Sequence, residues 1–235
     1  MKKICLCLTF LVLAFASCNR TYNYIIPVDF GKYYEGITSL TEKEGQELSQ
    51  RIYMDWYNNT MGKEIPDLNV KDLDGKTVKL KKLLKRETIL VFTDTHCGFG
   101  AEEVEKELPM TISSMKDELV GINILCLIED AENSAPGEAH DYAKSLQDSY
   151  NNIFIIDQKD ALRMNLTGSP SKFYIDKDQI VRQVHIGFAM NQEQREESIR
   201  QGISLMKKGK QKLKQHISQQ VAFGAWSITS SVSKA

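Results

Sequence analysis

Short apolar runs alternate with polar, helix-forming segments through the middle of the chain. The runs are residues 89–92, 120–128 and 153–156, and a further predicted strand, residues 171–176, has an apolar centre at 173–175. Runs this short, and rich in β-branched and aromatic residues, are typical of strands that are buried on both faces of a sheet. Helical patterns lie between them, at residues 101–108 and 138–150. This alternation predicts an α/β fold in which helices cover both faces of a mostly parallel sheet.

Two hairpins flank the alternating region. Asp74-Gly75 is a strong turn dipeptide, and apolar residues alternate on both sides of it within residues 65–80, which predicts an N-terminal β-hairpin. A polar turn at residues 176–179 leads into a further strand at 180–185. This second hairpin is antiparallel and makes the central sheet mixed.

Helical segments precede and follow the sheet. Leu48, Ile52 and Trp56 recur at four-residue spacing, which predicts an amphipathic helix within residues 31–61 that packs on the main domain. Residues 191–220 are predicted to form a final helix, and the polar residues 19–29 a tether.

The first seventeen residues have the pattern of an export signal. Lys2 and Lys3 precede an apolar stretch, residues 4–15, that is too short to span a bilayer as a stable helix. Small residues then precede Cys18, and this junction is similar to a bacterial lipoprotein cleavage site. The similarity implies that Cys18 becomes the lipid-bearing N-terminus of a protein anchored in the bacterial cell envelope, facing the periplasm or the exterior. The alternative is an ordinary secretory signal with an incidental cysteine.

Composition narrows the possible partners and chemistry. The 235 residues carry a formal charge of −1, so no basic excess indicates a nucleic-acid partner. Removal of the signal leaves Cys97 and Cys126 as the two thiols that carry no lipid. The four histidines are dispersed without metal-ligand spacing, so neither a metal nor another cofactor is expected.

Cys97 is the sharpest candidate for chemistry. It falls where the apolar run 89–92 has ended and a helix begins, close to residue 101. Backbone N–H groups at such a junction point at a sulfur and favour the thiolate. Cys126 lies inside a continuous apolar strand and is expected to behave as a small core residue, although it could resolve a disulfide at Cys97.

This arrangement resembles the thioredoxin superfamily, and within it the TlpA/ResA-like thiol-disulfide oxidoreductases. In that family a strand leads into a Trp-Cys-Gly-Pro-Cys-type turn at a helix N-terminus. Here the turn reads His96-Cys97-Gly98-Phe99-Gly100, so the first cysteine is present and Gly100 replaces the second. The resemblance implies a thioredoxin-like fold with an N-terminal hairpin and an extra N-terminal helix. The predicted divisions are residues 1–17 (signal), 18–63 (tether and helical extension), 64–207 (thioredoxin-like domain) and 208–235 (helix end and tail).

The resemblance also assigns roles to individual residues. Pro170 matches the cis-proline that faces the active cysteine, and Ser169 would present its backbone to an extended substrate peptide. Glu103 takes the place of a glutamate that assists thiol proton transfer; the alternative is a solvated acidic helix face. His96 could stabilise a thiolate or contact substrate, or it could be a polar side chain at a loop tip.

Three functions follow from these residues. The first is thiol-disulfide exchange through Cys97 with protein or peptide thiols and disulfides, where the resolving thiol comes from another molecule. The second is a non-catalytic module that binds peptides or proteins beside Pro170. The third is a thiol peroxidase, suggested by the similarity of Cys97-Gly98-Phe99-Gly100 to a Cys-Gly-x-Thr site. Replacing Gly100 by cysteine is expected to restore dithiol activity.

Overall fold

A single mixed sheet of seven strands organises the protein, and the computed structural model describes residues 24–187 and 191–208 of it. The predicted signal peptide, Cys18 and residues 209–235 lie outside this range. The sheet order is β2-β1-β5-β4-β3-β6-β7, with β3, β4 and β5 parallel and the other pairs antiparallel. The strands are β1 (Asn69–Lys71), β2 (Thr77–Lys79), β3 (Thr88–Thr93), β4 (Asn123–Asp130), β5 (Ile153–Asp157), β6 (Ser171–Ile175) and β7 (Val181–Ile186).

Helices cover both faces of this sheet, as the alternating pattern predicted. They are α1 (Gly31–Tyr34), α2 (Glu42–Thr60), α3 (Leu80–Leu83), α4 (Gly98–Glu102), α5 (Leu108–Ser114), α6 (Glu138–Ser145), α7 (Gln158–Arg163) and α8 (Gln192–Lys208). A π-helical turn, Glu103–Glu107, joins α4 to α5. We call residues 98–114 the Cys97 helix. Within the described ranges, no helix has the length and apolar character needed to cross a bilayer.

Strand β3 separates two hydrophobic cores, and all six of its residues are buried. Leu90 and Phe92 face a core that includes Trp56 of α2. Ile89 and Val91 face the opposite core, formed with the Cys97 helix, α6 and α8. The prediction that this run is a strand buried on both faces is therefore confirmed.

Two boundaries differ from the sequence prediction. The apolar run at 120–128 is not a strand throughout, because Val120 is 76% exposed and Gly121 turns the chain with φ +83° before β4 begins at Asn123. The helical region 31–61 divides into α1 and α2, since Gly36 adopts φ +76° between them. Thr41 then starts α2 with a capping box to Glu44, which satisfies backbone donors at the new N-terminus.

The N-terminal extension docks on the domain through Asn165. Its side-chain oxygen accepts from the backbone N–H of Val28 at 2.8 Å, and its amide nitrogen donates to Ile26 O at 3.0 Å and Thr60 Oγ1 at 2.9 Å. Its own carbonyl accepts from Trp56 Nε1 at 2.9 Å. Residues 24–29, the described part of the predicted tether, thus pack against the loop that leads to Ser169.

Replacing Asn165 by alanine should destabilise the protein by about 3 kcal/mol, because three hydrogen bonds are lost and alanine is strained at φ +57°. Asn165→Gly is the matched control, since glycine tolerates this backbone conformation and lacks only the side chain. Urea unfolding should rank the native protein above the glycine variant, and the glycine variant above the alanine variant by about 1 kcal/mol. Equal stability of native and glycine proteins would refute docking through the amide.

Candidate active site

A carboxylate fixes the turn that carries Cys97. Strand β3 ends at Thr93, and Asp94 Oδ1 accepts the backbone N–H groups of both His96 and Cys97 at 2.8 Å. Aspartate suits this place because its short side chain bonds the backbone two and three residues ahead. Helix α4 follows at once, so Cys97 lies at the predicted strand-to-helix junction, and the residue is partly exposed.

The loop before β6 meets this turn from the opposite side. The Ser169–Pro170 peptide bond is cis, as the sequence resemblance predicted. The Cys97 thiol donates to Ser169 O at 3.2 Å, and the Gly100 N–H donates to Cys97 Sγ at 3.3 Å. The sulfur is thus held between the first turn of the Cys97 helix and the cis-proline loop.

The sheet order, the Cys97 helix packed on the central strand and the cis-proline opposite the cysteine together define the architecture. The chain has a thioredoxin-like fold. Its N-terminal β1–β2 hairpin adds two strands at one edge of the sheet, as predicted, and two helices, α1 and α2, precede it where one was predicted.

Solved structures of similar architecture come from several organisms. A candidate thiol:disulfide interchange protein DsbE from Chlorobium tepidum is 20% identical, with 60% of this chain and 93% of that one covered and a TM-score of 0.45. The exposed lipoprotein thioredoxin Etrx1 of Streptococcus pneumoniae is 19% identical, with coverages of 58% and 99% and a TM-score of 0.44. A thiol:disulfide interchange protein from a Bacteroides species is 17% identical, with coverages of 65% and 93% and a TM-score of 0.45. No protein-family model and no curated protein matches the chain.

Two hydroxyl groups fill the space beside Gly100, the position where the sequence resemblance would place a second cysteine. A Cβ atom on Gly100 would lie 2.7 Å from Ser169 Oγ and 2.9 Å from Thr93 Oγ1. These hydroxyls hydrogen-bond each other at 3.1 Å, and Ser169 Oγ also accepts from the Asp94 N–H at 3.2 Å. A side chain at position 100 would have to displace these hydroxyls, so we expect them to oppose a cysteine introduced there by a single substitution.

Acidic side chains surround His96 at the rim of the site. The two ring nitrogens of His96 lie 3.1 Å from Thr95 Oγ1 and 3.9 Å from Glu138 Oε1, so both have neighbours other than the Cys97 sulfur. The Ala135 N–H holds the pKa of Glu138 below its usual range, with Thr95 and His96 adding to the effect. Burial, followed by the Asp94 charge, raises the pKa of Glu129. The lowered pKa of Glu138 favours its charged form, whereas the raised pKa of Glu129 favours its neutral form.

Glu103 is fully buried, so the solvated-face interpretation does not describe it. It begins the π-helical turn, in which the Leu108 N–H bonds Glu103 O five residues back. The widened turn has a local reason: Pro109 follows it and cannot donate to, or pack closely against, the carbonyl of Glu105. The Glu103 carboxylate forms an ion pair with Lys172 of β6.

Cys126 lies in the core, as predicted. It is 0% exposed, and burial raises the pKa of its thiol to about 12. The fraction present as thiolate near neutral pH is then on the order of 10⁻⁵. Cys97 and Cys126 are both free thiols, and Cys126 is poorly suited to attack a disulfide.

Three parts of this site were missed at the level of sequence: Thr93, Lys172 and Arg195. Lys172 could have been found from the sequence, because a lysine within a predicted buried strand needs a buried partner of opposite charge. Thr93 and Arg195 gave none, since their roles depend on contacts with residues 76 and 92 positions away, respectively. Among the described residues, no group of three histidine, cysteine or carboxylate side chains could hold a metal ion.

The filled space beside Gly100 predicts different responses at two neighbouring glycines. Gly100→Ala should cost about 2 kcal/mol through overpacking against the two hydroxyls. Gly98→Ala is the matched control, because a Cβ there meets nothing within 4 Å, and it should leave stability unchanged or slightly higher. Urea unfolding of the two variants measures the difference.

The same geometry predicts how a dithiol site could be rebuilt. Gly100→Cys alone should close a 97–100 disulfide poorly, whereas Gly100→Cys combined with Thr93→Ala and Ser169→Ala should close it readily, as followed by intact mass after mild oxidation. Equal closure by the single and triple variants would show that the hydroxyls are no obstacle.

A partly buried histidine on β7 predicts a pH dependence of stability. His185 pairs with Lys172 across β6 and β7, and burial, followed by the Lys172 charge, lowers the pKa of His185 to about 4. The folded protein then binds fewer protons than the unfolded chain, whose histidine has a pKa of about 6.5. The low pKa of His185 therefore leaves the free energy of unfolding unchanged above pH ~6.5. As the pH falls from there to about 4, it lowers the free energy of unfolding by on the order of 2–3 kcal/mol.

Urea unfolding of the native protein and of His185→Gln at a series of pH values should separate this contribution from those of the carboxylates. The difference in unfolding free energy between the two proteins should change across the stated window and be constant above it. Parallel curves throughout would mean that His185 does not titrate as an isolated buried group.

Proposed function

We propose that the protein exchanges thiols and disulfides through Cys97 alone, with protein or peptide partners, at the bacterial cell envelope. The observation that carries this proposal is the position of Cys97, a partly exposed residue whose sulfur lies 3.2 Å from the carbonyl oxygen of Ser169 in the cis-proline loop. The lipid anchor at Cys18 and the envelope location rest on the sequence pattern of residues 1–18.

The exchange proceeds in two balanced steps. The Cys97 thiolate attacks one sulfur of a substrate disulfide, forming a mixed disulfide, and the other substrate sulfur leaves as a thiolate that takes a proton from solvent. An external thiolate then attacks the substrate sulfur of the mixed disulfide and releases Cys97. Gly100 supplies no second thiol and Cys126 is buried, so the mixed disulfide persists until an external thiol resolves it.

Each contact of the sulfur has a part in this cycle. In the resting state Ser169 O accepts a hydrogen bond from the Cys97 thiol. The Gly100 N–H is directed at the sulfur and would stabilise negative charge on it. The Asp94 carboxylate takes the N–H groups of His96 and Cys97, leaving fewer donors for the sulfur.

Incubation of the purified protein with a small disulfide, followed by acid quenching and intact-mass analysis, tests the proposal. We expect one adduct, mapped to Cys97, that persists until a small thiol is added. Cys97→Ser should abolish the adduct, and Cys126→Ser, the matched control, should leave it unchanged. A 97–126 disulfide, or a folded protein that forms no adduct, would overturn the proposal.

The binding-module hypothesis is the second candidate, and the filled space beside Gly100 favours it. A module of this kind would hold an extended peptide beside Pro170 without forming a bond to it. It predicts that Cys97→Ser binds peptide partners as tightly as the native protein does, measured by calorimetry. A covalently exchanging protein should instead lose capture of disulfide-bearing partners in this variant.

A further inference from the structure

Three buried charged side chains and the partly exposed Glu107 form a network on the side of the sheet covered by the Cys97 helix. Lys172 of β6 and Glu103 of the Cys97 helix form an ion pair, and their side chains are 1% and 0% exposed. Arg195 of α8 is 3% exposed; its Nε lies 4.0 Å from Glu103 Oε1, and its Nη2 binds Glu107 Oε2. The network therefore links the sheet, the Cys97 helix and the C-terminal helix α8.

Strand register places this network directly below the site. Lys172 pairs with Val91 of β3, and both lie on the face covered by the Cys97 helix. Each is two residues along its strand from a site residue, Lys172 from Pro170 and Val91 from Thr93. Two residues along a strand span roughly 7 Å, so the ion pair is about one layer of side chains beneath the site.

The charges of the network balance. Glu103 and Glu107 oppose Lys172 and Arg195, and His185 is neutral above pH ~4 because burial depresses its pKa. Burial lowers the pKa of Lys172, and Glu103 opposes that shift. Tyr150 and Tyr174 also face Glu103, and burial raises the pKa of each phenol, so both stay neutral.

We propose that Lys172 is a positioning residue that keeps Glu103 ionised beneath Cys97 and so withholds it from proton transfer. The Glu103 carboxylate contacts the Lys172 ammonium group and lies 4.0 Å from Arg195 Nε, and nearby positive charges favour the charged form of a carboxylate. The Cys97 proton is then exchanged with solvent. This inference rests on the proposed chemistry at Cys97 and assigns Glu103 a fixed charge in place of the relay role that the sequence resemblance implied.

The ionisation of Glu103 is the first measurement. Carbon-13 NMR of the carboxyl groups, assigned by comparison with Glu103→Gln, should show Glu103 ionised from about pH 5 to pH 8 in the native protein. In Lys172→Met the nearest cation is absent, so the titration midpoint should rise by at least ~1 pH unit. Lys172→Arg, which keeps the charge, should restore the native midpoint. Titration of Glu103 within this pH range in the native protein overturns the proposal.

The pH profile of Cys97 alkylation by iodoacetamide, mapped by mass spectrometry, is the second measurement. The native protein and Glu103→Gln should follow the same single ionisation, and Lys172→Met should show an additional inflection. That inflection should vanish in the Glu103→Gln, Lys172→Met double variant. A purely structural role for Lys172 would lower stability in these variants without adding an inflection.

Two results would contradict the inference at this stage. A shifted profile in Glu103→Gln would place Glu103 in proton transfer in the native protein, and an unchanged profile in Lys172→Met would remove Lys172 from control of the site. Should Lys172→Met fail to fold, the NMR titration of Glu103 in the native protein and the alkylation profile of Lys172→Arg still test whether Glu103 is held ionised. Neither measurement needs a disulfide substrate, so failure of exchange at Cys97 is distinguished from failure of this inference.

Discussion

Burial of β3 on both faces is the constraint on which the rest of the structure depends. A strand at the centre of a sheet must lose both faces to apolar cores, and here α2 and the N-terminal segment cover one face while the Cys97 helix, α6 and α8 cover the other. The chain becomes accessible only where β3 ends, so Thr93, Asp94 and Cys97 lie close together at the C-terminal end of this strand. The cis-proline loop reaches that edge because β6 is antiparallel to β3, so that its start lies beside the end of β3.

Close packing at that edge then limits the chemistry. The pairing of β3 with β6 brings the Thr93 and Ser169 hydroxyls to 3.1 Å from each other, and a Cβ atom at position 100 would lie 2.7 Å and 2.9 Å from the Ser169 and Thr93 oxygens. The hydroxyls satisfy each other and the Asp94 N–H, so the space is filled by a bonded arrangement that resists a new side chain. Cys97 with the two hydroxyl groups packed beside it therefore fits the proposed intermolecular exchange better than an intramolecular disulfide.

Sequence patterns were informative where structure is decided locally. The apolar run of β3, the Asp74-Gly75 hairpin and the core position of Cys126 follow from periodicity and turn chemistry, and the cis bond at Pro170 from family resemblance. The start of β4 was placed too early because Val120 is apolar yet exposed, and hydrophobicity alone does not reveal that Gly121 turns the chain. Asn165, Lys172 and Arg195 were missed for a different reason: each acts through partners more than sixty residues away, and no local pattern encodes such pairs.

The buried network presents a physical problem that stability alone does not answer. Taking the charged side chains of Glu103, Lys172 and Arg195 out of water is costly, and well-packed apolar residues in such places are often equally or more stabilising. An apolar replacement, however, would leave α8 and the Cys97 helix to slide over each other, whereas the bonds of Arg195 to Glu107 and Thr111 fix one register between them. In our proposal the pair at Lys172 has a further consequence that no apolar pair has, because Lys172 holds the charge of the buried Glu103 carboxylate. Position and charge, more than added stability, are therefore the physical account of why Glu103 and Lys172 are buried together here.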